Sequence, residues 1–499
     1  VVLEKAWVPQ LMVNLSFVFD GLSLFYGCVI CGIGVLICWY AAEYLDNEYR
    51  SHGRFYTYLL LFMTAMLGTV FSNNLLLLFV FWEITGVASF LLIGFLHEDE
   101  KSQVGARQAL LVTAATGLCM LIGIIMLGLT AGTYDLKAIA GGNVLQSRPA
   151  AWNATMCVFL LVGAFGKSAQ FPFQFWLPGA MAAPTPVSAY LHSATMVKLG
   201  VFLTARLFPI FSGLDVWIWL LGTVGFVTML LGAYLALRSV DLKAILAYST
   251  VSQLGFLIGA YGIGSRMGVQ FDFVHVLSHV FYKATLFMVA GIVDHATGLR
   301  DIRRLGGLAR YMPLTAIAAA GGAAALAGLP LTTGFISKEI LLTNLGDLYS
   351  AQGGISIFFL ILVILAATLS VAFAARLFSK VFLGVKPDGL PFHRPGLALQ
   401  VPPFLLTLGT VGFGVYPGAL DQMVAWLAVP GLHVTKAEHL ALWHGVNFAF
   451  LTSLGIFTAG GLLYWMTRNF SPGESALPKW LQFDVAFEKG LHGLSVSSQ

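Results

Sequence analysis

The feature that most constrains the fold of this chain is a succession of long apolar segments, separated by short polar or glycine- and proline-containing breaks. A segment of about 20 predominantly apolar residues is long enough to cross the hydrocarbon core of a bilayer as an α-helix. Only 10% of the residues are charged, well below the roughly 25% that is typical of soluble domains. The sequence therefore predicts an all-α integral membrane protein that crosses the bilayer many times.

The apolar segments predict about thirteen transmembrane helices. They cover residues 20–44, 52–72, 74–96, 104–130, 152–171, 186–210, 214–237, 241–262, 268–296, 313–346, 354–384, 400–418 and 445–467. On this basis we divide the chain into four regions. These are an N-terminal peripheral helix region at 1–51, a first repeat at 52–213, a second repeat at 214–384, and C-terminal helices with a cytoplasmic amphipathic tail at 385–499.

The two central regions carry ionisable residues in corresponding places. The first contains Glu83 and, next to a break, Lys167, while the second contains Lys283 and, next to a break, Lys338. Each region has five predicted spans, and an odd number places successive copies in opposite orientations across the membrane. We therefore predict two inverted five-helix repeats, each with a broken helix.

Prolines and glycines mark the two predicted helix breaks. Pro172, Pro184 and Pro186 follow Lys167 in the first repeat, and Pro330 lies in the stretch LAGLPLTTGF of the second. Proline removes a helical hydrogen bond and clashes with the preceding turn. Irregular backbone at membrane depth is tolerated only where protein or a water-filled cavity surrounds it. The breaks therefore predict places where a buried charge meets water and polar partners.

Glu83 and Lys167 are ionisable side chains within long apolar segments. A charge at the centre of a transmembrane helix costs roughly 2.5 to 3.5 kcal/mol on insertion scales, so its presence indicates a partner or a function. The structural alternatives are a neutral glutamic acid bonded to a neighbouring helix and a lysine that extends to the membrane interface. We favour a coupled pair that transfers protons.

Three ionisable residues recur every four positions in VHVLSHVFYKATLF, namely His275, His279 and Lys283. Four residues advance a helix by about 400°, so the three side chains share one face over about 12 Å. Histidine accepts one proton and releases another near neutral pH without leaving its place. The spacing therefore favours a proton relay over simple hydrogen bonding in the core, and we do not predict a metal site here.

The remaining ionisable candidates lie beside the breaks. His192 and Lys198 are six residues apart, about 240° around a helix, so they contact different neighbours unless the helix is distorted. Lys338 and Glu339 follow the second break and close the series, either as an exit to water or as an ordinary helix end. No cofactor is predicted.

Loops on one side of the predicted membrane carry most of the basic residues, including Arg54, Arg107, Arg238 and Arg303. The positive-inside rule places this side in the cytoplasm, together with the C-terminus. The net charge of +4 comes without a basic run, so nucleic acid is not a predicted partner. The expected surroundings of the chain are the lipid bilayer.

Five motifs resemble those of a known family of membrane subunits. They are FWEITGVASFLLIGF, AFGKSAQFPFQFWLPGAMAAPTPVSAYLHSATMVKLGVFLTAR, DLKAILAYSTVSQLGF, SHVFYKATLFMVAGIVDH and LPLTTGFISKEILL. In content and order they resemble the antiporter-like subunits shared by Mrp-type sodium/proton antiporters, complex I and membrane-bound hydrogenases. Two stretches are most similar to the large A subunits of Mrp antiporters. One is HSATMVKLG, which contains Lys198, and the other is VTAATGLCMLIG, which lacks Arg and Asp.

The resemblance implies a proton-translocating subunit of a multisubunit Na+/H+ antiporter in a prokaryotic inner membrane, not an enzyme. Other membrane subunits, protons and a monovalent cation, Na+ above all, are its implied partners. The implied path consists of a coupled pair, its continuation, a central relay and a far exit. These are in turn Glu83 with Lys167, His192 with Lys198, the set His275, His279 and Lys283, and Lys338 with Glu339.

Two alternatives stay open. In one, the chain is the distal pumping subunit of a redox enzyme such as complex I or a hydrogenase; in the other, the buried charges only hold helices together. The family has two further helices before residue 20 and further spans beyond Gln499, and this chain begins at Val1 instead of Met. We therefore expect a fragment or a processed chain.

Overall fold

The computed structural model describes residues 2–8, 10, 13–45, 51–263, 268–352, 354–428, 440–442 and 445–468. The strands are β1 (Val2–Val8) and β2 (Val13–Val18). The α-helices are α1 (Gly21–Tyr44), α2 (His52–Phe71), α3 (Leu75–Ile93), α4 (Glu100–Ala131), α5 (Leu136–Gly141), α6 (Ala150–Lys167), α7 (Trp176–Gly179), α8 (Thr185–Ser193), α9 (Leu199–Phe211), α10 (Asp215–Arg238), α11 (Leu242–Gly262), α12 (Gly268–Thr297), α13 (Pro313–Ala327), α14 (Thr333–Gln352), α15 (Gly354–Phe382), α16 (Leu397–Val415), α17 (Pro417–Ala428) and α18 (Phe448–Thr467). The predicted amphipathic tail lies outside the described residues.

Twelve helical segments of the described chain are long and apolar enough to cross a membrane. One of them is an interrupted span that consists of α8 and α9. The predicted multi-pass helical membrane fold is thereby confirmed. The number thirteen stays a prediction, because the segment predicted at 313–346 forms two separate helices, α13 and α14.

The first eighteen residues differ from the prediction, because their described part forms a hairpin. β1 pairs with β2 in antiparallel register, from Val2 opposite Val18 to Val8 opposite Val13. β-branched residues such as valine favour strands. The predicted helix region at 1–51 therefore begins with a short hairpin before its helix, and the division of the chain into four regions stays a prediction. The helix of that region, α1, is itself a candidate membrane span.

Polar side chains begin several of the helices. Asp20 accepts a hydrogen bond from the backbone N–H of Ser23, and the two residues form a capping box at α1. Asn74, Asp99 and Asp241 cap α3, α4 and α11 in a similar way. Each cap satisfies backbone N–H groups that have no partner within the helix, and contributes about 1 kcal/mol.

The chain between α6 and α8 is irregular, as its prolines predict. Lys167 is the last residue of α6, and short helical turns occupy residues 173–182. Pro172 precedes the first of these turns. Pro184 and Pro186 lie at the start of α8, where the fixed φ of proline suits the first helical turn. These last two prolines therefore lie where the break ends and α8 begins.

A further interruption, which the sequence did not predict, divides α8 from α9. The segment was predicted as a continuous helix at 186–210, yet α8 ends at Ser193. Thr195 leaves the helical conformation, with φ −126° and ψ −110°. A single 3-10 turn then leads into α9. The interruption falls between His192 and Lys198, two of the predicted site residues.

The second predicted break is present between α13 and α14. Gly328 follows α13 with a φ of 72°, a left-handed conformation that glycine adopts without a Cβ clash. Pro330 lies between the two helices, where its missing N–H removes no helical hydrogen bond. The inverted relation of the two repeats stays a prediction.

α12 is the central helix of the fold. It packs against α8, α11, α13, α14 and α16. In its most apolar stretch, 89% of the residues are buried within the protein. A helix that is surrounded in this way can present side chains to several neighbours at once. The ionisable residues of α12 therefore reach the interruption between α8 and α9 and the helix that follows the break between α13 and α14.

α10 and α11 approach each other through glycines. A Cβ on Gly225 would lie 2.6 Å from the Cα of Gly259, and backbone cannot move aside as a side chain can. We expect Gly225→Ala to separate the two helices and lower the free energy of unfolding by about 1 to 3 kcal/mol. Thermal unfolding of the purified protein in detergent measures this change.

Gly412→Ala is the matched control for this substitution. Nothing lies within 4 Å of the Cβ position at Gly412, which is in α16, and alanine is the better helix former. Its unfolding temperature is expected to stay at or above that of the wild type. If Gly225→Ala unfolded at the wild-type temperature, close contact between α10 and α11 would not be contributing to stability.

Candidate functional site

Most of the predicted ionisable residues are buried inside the described protein. The exposed fraction is at most 4% for Lys167, His192, Lys198, His275, His279 and Lys283. Glu339 is also buried, and Glu83 and Lys338 are partly buried. Ionisable groups inside a membrane protein pair with one another or with backbone carbonyls. Their partners show which of these residues the fold brings together.

Lys167 lies at the end of α6 and reaches α3. Its Nζ donates to Thr85 Oγ1 at 2.9 Å and to the carbonyl oxygen of Trp82 at 3.1 Å. The C-terminal end of a helix also favours a cation, because the backbone dipoles point their negative ends there. Gly86 keeps the space open, since a Cβ there would lie 3.4 Å from Nζ. The direct partners of this lysine are therefore neutral oxygens.

Glu83 lies on α3, between the two residues that hold Lys167. Its Oε1 occupies the space where a Cβ on Gly117 of α4 would be. This oxygen is buried and has no hydrogen-bond partner among the described residues. Glu83 and Lys167 interact electrostatically without forming an ion pair in the described structure. The fold thus brings the predicted pair together but leaves it unlinked, and the coupling stays a prediction.

Lys198 occupies the interruption between α8 and α9. Its Nζ lies 2.7 Å from His279 Nδ1 on α12 and donates to the carbonyl oxygen of Ser193, at the helix end where acceptors lack helical partners. An ammonium group has only donors, so a charged Lys198 requires a lone pair on His279 Nδ1. The contact therefore links the protonation states of these two side chains.

His192 lies on α8 beside this contact. Its ring stacks on Phe287 of α12, with ring centroids 5.4 Å apart. Both ring nitrogens are buried without a hydrogen-bond partner among the described residues. Lys198 and Lys283 are close enough to act on it electrostatically. The interruption supplies the distortion without which His192 and Lys198 would point to different neighbours.

The predicted face of α12 is present, but its three members contact different helices. His275 Nδ1 lies 2.5 Å from Ser337 Oγ of α14, and Lys283 donates to Ser249 Oγ of α11. The rings of His275 and His279 have centroids 6.3 Å apart. Nε2 of each histidine is buried without a hydrogen-bond partner within the described part of the chain. α12 therefore joins α9, α11 and α14 through polar contacts.

The adjacent residues Lys338 and Glu339 turn to different neighbours. Lys338 Nζ donates to the carbonyl oxygen of Gly328 at 3.2 Å and lies 3.7 Å from the centroid of the Phe457 ring. Glu339 Oε1 accepts a hydrogen bond from Ser453 Oγ at 2.6 Å. Lys338 thus joins the second break to α18, and Glu339 contacts the same helix through Ser453. Whether the pair forms an exit stays a prediction.

A small cavity of about 40 Å³ lies between α12 and α14. His275, Ser337 and Lys338 are among its lining residues, together with Gly328 of the break. A water molecule needs only about 10 to 15 Å³ of such volume and two or more polar partners. The cavity therefore has room for water between the α12 relay and the second break.

Asp272 is a site residue that the sequence patterns did not reveal. It is fully buried, and its Oδ2 accepts a hydrogen bond from Tyr26 OH at 3.1 Å. Tyr261 acts on the same carboxylate. The available signal was a carboxylate three residues before His275, inside a predicted span. Among the described residues, no group of three His, Cys, Asp or Glu side chains is placed to hold a metal ion.

Lys243 is a second residue that the sequence patterns did not place in the path. It is buried near the start of α11, and its Nζ donates to the carbonyl oxygen of Ala183 at 3.2 Å. Asp294 acts on it electrostatically, and Asp241 pairs with Arg300 at 3.1 Å nearby. Its position just inside a charged loop is typical of an interfacial residue, so only packing against the first break reveals its burial.

Family models match most of the chain. Residues 72–369 match a model described as NADH:quinone oxidoreductase/Mrp antiporter, transmembrane region. Residues 7–56 match one described as the N-terminus of chain 5 of NADH-ubiquinone oxidoreductase (complex I). The first match covers more than half of the chain and contains every predicted site residue from Glu83 to Glu339.

Relatives along the whole chain have antiporter names. A Rhizobium meliloti protein, named as the probable A/B subunit of a K+/H+ antiporter, is 42% identical over 98% of this chain and 49% of its own length. The A subunit of the Na+/H+ antiporter of Alkalihalophilus pseudofirmus is 39% identical over 99% of this chain and 65% of its own length. The corresponding Bacillus subtilis protein is 37% identical over 97% of this chain and 63% of its own length. The chain therefore spans about half to two thirds of these relatives.

A solved structure supports the same assignment. A chain in the structure of the Mrp complex from a Dietzia species superposes with a TM-score of 0.90 at 35% identity, covering 100% of this chain and 54% of that one. The names of the relatives confirm the resemblance to Mrp A subunits that the motifs predict. The chain therefore belongs to the NADH:quinone oxidoreductase/Mrp antiporter family of membrane subunits.

Proposed function

We propose that this chain is the proton-translocating subunit of a multisubunit monovalent cation/proton antiporter, and that Na+ is the exchanged cation. In this role it is part of a transporter and not an enzyme. The proposal depends on one observation, a set of buried or partly buried ionisable side chains beside the breaks and along α12. Contacts link Lys198 to His279 and His275 to Ser337, and the step from Lys167 to Lys198 is part of the proposal.

The contact between Lys198 and His279 is the central step of the proposed path. At a distance of 2.7 Å, one nitrogen presents a hydrogen and the other a lone pair. Transfer of the proton reverses these roles and leaves the charge on the imidazole. Because imidazole can release a proton from its second nitrogen, and Nε2 of His279 is buried without a described partner, a proton can cross the ring.

The path continues from His279 to His275 and then to the second break. The two rings are close, and Ser337 Oγ lies 2.5 Å from His275 Nδ1. A hydroxyl group accepts one proton while it donates another. The adjoining cavity, with room for water, reaches Lys338. Hydroxyl and ammonium groups, beside a cavity with room for water, therefore lie between α12 and the break between α13 and α14.

The other end of the series is the pair of Glu83 and Lys167. A negative Glu83 stabilises the charged form of Lys167, and neutralisation of Glu83 removes that stabilisation. Because the pair is close but unlinked, a small movement of the carboxylate changes the interaction strongly. We infer that this pair couples uptake of a proton at Glu83 to release of one from Lys167.

The proposed partners are other membrane subunits of a hetero-oligomeric complex. The relatives are named as antiporter subunits, and the similar solved structure is that of an Mrp complex. The proposed location is a prokaryotic inner membrane with the C-terminus in the cytoplasm, as the loop charges predict. Na+ is favoured because several relatives are named Na+/H+ antiporter subunits, although one is named for K+.

Neutralising either member of the first pair is expected to abolish cation-dependent proton flux. Glu83→Ala or Lys167→Ala removes one of the two coupled charges, so flux in inverted membrane vesicles that contain the assembled complex falls by about 10²- to 10⁴-fold, the typical range for loss of an acid or base. Flux is followed as dissipation of a pH gradient after addition of Na+, and in parallel after K+. Copurification of the other subunits reports assembly.

Glu98→Ala and Lys101→Ala are the matched controls, because both side chains are exposed, Glu98 in the loop after α3 and Lys101 in the first turn of α4. They are expected to leave flux unchanged. Wild-type flux in the Glu83 and Lys167 variants would contradict the relay. Flux that survives neutralisation of both residues together would favour a scaffold in which the charges only hold helices together.

A second candidate is a pumping subunit of a redox complex. The observation in its favour is that both family models are described by NADH:quinone oxidoreductases. The buried relay would be the same, but transport would require an electron donor. Iron–sulfur or flavin subunits that copurify with the chain would favour this candidate, whereas membrane subunits alone would favour the antiporter.

A further inference from the structure

A basic cleft lies at the ends of α2, α3 and α4, apart from the buried relay. Its volume is about 350 Å³, within the roughly 300 to 1,000 Å³ of small-molecule sites. Its walls combine basic and aromatic side chains, with Arg54, Tyr58, Phe90, Phe95, His97 and Arg107 among them. This combination fits a ligand that has an anionic part and an apolar part.

Arg54 is fixed at one wall of the cleft. Its Nη2 donates to the carbonyl oxygen of Phe95 at 3.2 Å, and the guanidinium carbon lies 4.7 Å from the centroid of the Phe95 ring. A guanidinium group has five N–H donors in a planar fork that matches the oxygens of a phosphate. These contacts orient the group, so it loses little conformational freedom when it binds an anion.

The cleft contains positive charge that the protein does not neutralise. Among the residues that the structure describes, no carboxylate lies within ion-pair distance of Arg54 or Arg107. The ion pairs of the described residues lie outside the cleft and join Arg206, Arg300 and Arg303 to aspartates. Gln103 closes the rim by donating to the carbonyl oxygen of His97 at 2.7 Å. Among the described residues, the two guanidinium groups therefore face one opening without a carboxylate at ion-pair distance, and His97 lies beside them.

Exposed apolar side chains continue from the cleft toward the membrane interior. Leu61 is seven residues after Arg54 and Leu111 four residues after Arg107, spacings that keep residues on one face of a helix. Val87 lies one turn deeper than Leu91 of the cleft wall on α3. Their exposed fractions are 42%, 42% and 51% for Leu61, Leu111 and Val87. A fatty acyl chain can follow this surface once the headgroup is held above it.

The cleft also lies at the depth where lipid headgroups are expected. α2 and α4 begin beside it and α3 ends beside it, so it lies where these candidate spans leave one membrane face. The loop charges predict that this face is cytoplasmic, and the cytoplasmic leaflet is rich in anionic lipids that attract Lys and Arg. Glu98 in the adjoining loop and Glu100 at the start of α4 do not line the cleft.

We propose that this cleft binds the headgroup phosphate of an anionic phospholipid. Arg54 and Arg107 hold the phosphate, Tyr58 and His97 border it, and the acyl chains lie along Leu61, Val87 and Leu111. The ligand class is a diacyl phospholipid with net negative charge. A free phosphate ion shares the headgroup chemistry but not the apolar track.

The test is photolabelling of the purified, assembled complex with a phosphatidylglycerol that carries a photoreactive group near its headgroup. Mass spectrometry is expected to find label in peptides that contain residues 51–61, 87–97 or 103–111. In Arg54→Gln/Arg107→Gln, label at these peptides is expected to fall at least fivefold. Unlabelled phosphatidylglycerol is expected to compete, whereas inorganic phosphate and phosphatidylcholine are not.

Lys101→Gln/Arg310→Gln is the matched control, because it removes two exposed charges from the same predicted face outside the cleft. It is expected to keep wild-type labelling. Arg107→Glu, a single change at an exposed position, tests the site if the double variant fails to assemble, and it is expected to lose label as well. Unchanged label in the cleft variants would overturn the proposal. Equal competition by inorganic phosphate would also overturn it, because it would indicate a site for anions only. Cross-linking of the cleft to a neighbouring protein in place of lipid would overturn it as well.

Discussion

Replacing Lys198 by methionine is expected to reduce cation-driven proton flux by about 10²- to 10⁴-fold, the range typical for loss of a positioned proton donor. Methionine fills much of the same space but can neither carry a proton nor donate to Ser193 and His279. The 2.7 Å contact with His279 is the link between α9 and α12, so its loss divides the relay into two parts. The measurement is proton flux in vesicles that contain the assembled complex.

Lys198→Arg separates proton transfer from simple electrostatics. Arginine keeps a positive charge in the interruption, but a guanidinium group does not release its proton in proteins. We expect this variant to lose flux almost as fully as Lys198→Met while it retains stability. Lys137→Met, at an exposed position of α5, is the control and is expected to transport normally. Normal flux in Lys198→Arg would show that charge alone is required at this position.

Asp272→Asn is expected to lower flux at least tenfold without preventing assembly. Asparagine keeps the size of aspartate and can still accept the hydrogen bond from Tyr26, but it cannot bind or release a proton. The carboxylate lies on α12 one turn before His275 and is fully buried. Such a position predicts a proton or cation contact at the end of the α12 relay, which the flux assay measures directly.

Two further variants define the role of this carboxylate. Tyr26→Phe removes the donor to Asp272 Oδ2 and leaves the acid in place, so we expect a smaller loss of flux than in Asp272→Asn. Asp215→Asn changes an exposed acid at the start of α10 and serves as the control. Normal flux in Asp272→Asn together with a lowered unfolding temperature would assign Asp272 a purely structural role.

Much of the site could be predicted because a charge within an apolar segment is costly wherever the segment folds. This cost applies to Lys167, Lys198, His275, His279 and Lys283, and the structure buries all five. It depends only on local sequence and on the properties of the bilayer. The spacing of the three residues on α12 likewise follows from helix geometry alone.

The features that were not predicted have a common physical origin. Nothing local marks the interruption after Ser193, because AYLHSATMVKLG contains neither proline nor a glycine at the break. At the end of α8, the side chains of Thr195 and Lys198 donate hydrogen bonds to its carbonyl oxygens. Lys198 also contacts His279 of α12, so the interruption depends on tertiary packing. Asp272 carried a local signal, a carboxylate inside a predicted span, but its contact with Tyr26, 246 positions away in the chain, exists only in the folded protein. The hairpin at the start was missed because it consists of segments too short to signal clearly.

The sequence by itself determined that this chain is a multi-pass membrane protein with ionisable residues along its interior. It also indicated breaks near Pro172 and Pro330, because apolar length, charge and proline act through local chemistry. The tertiary structure decided which of those residues meet. Lys198 contacts His279 and His275 contacts Ser337, since these contacts depend on segments that lie 81 and 62 positions apart in the chain and pack together only in the folded protein.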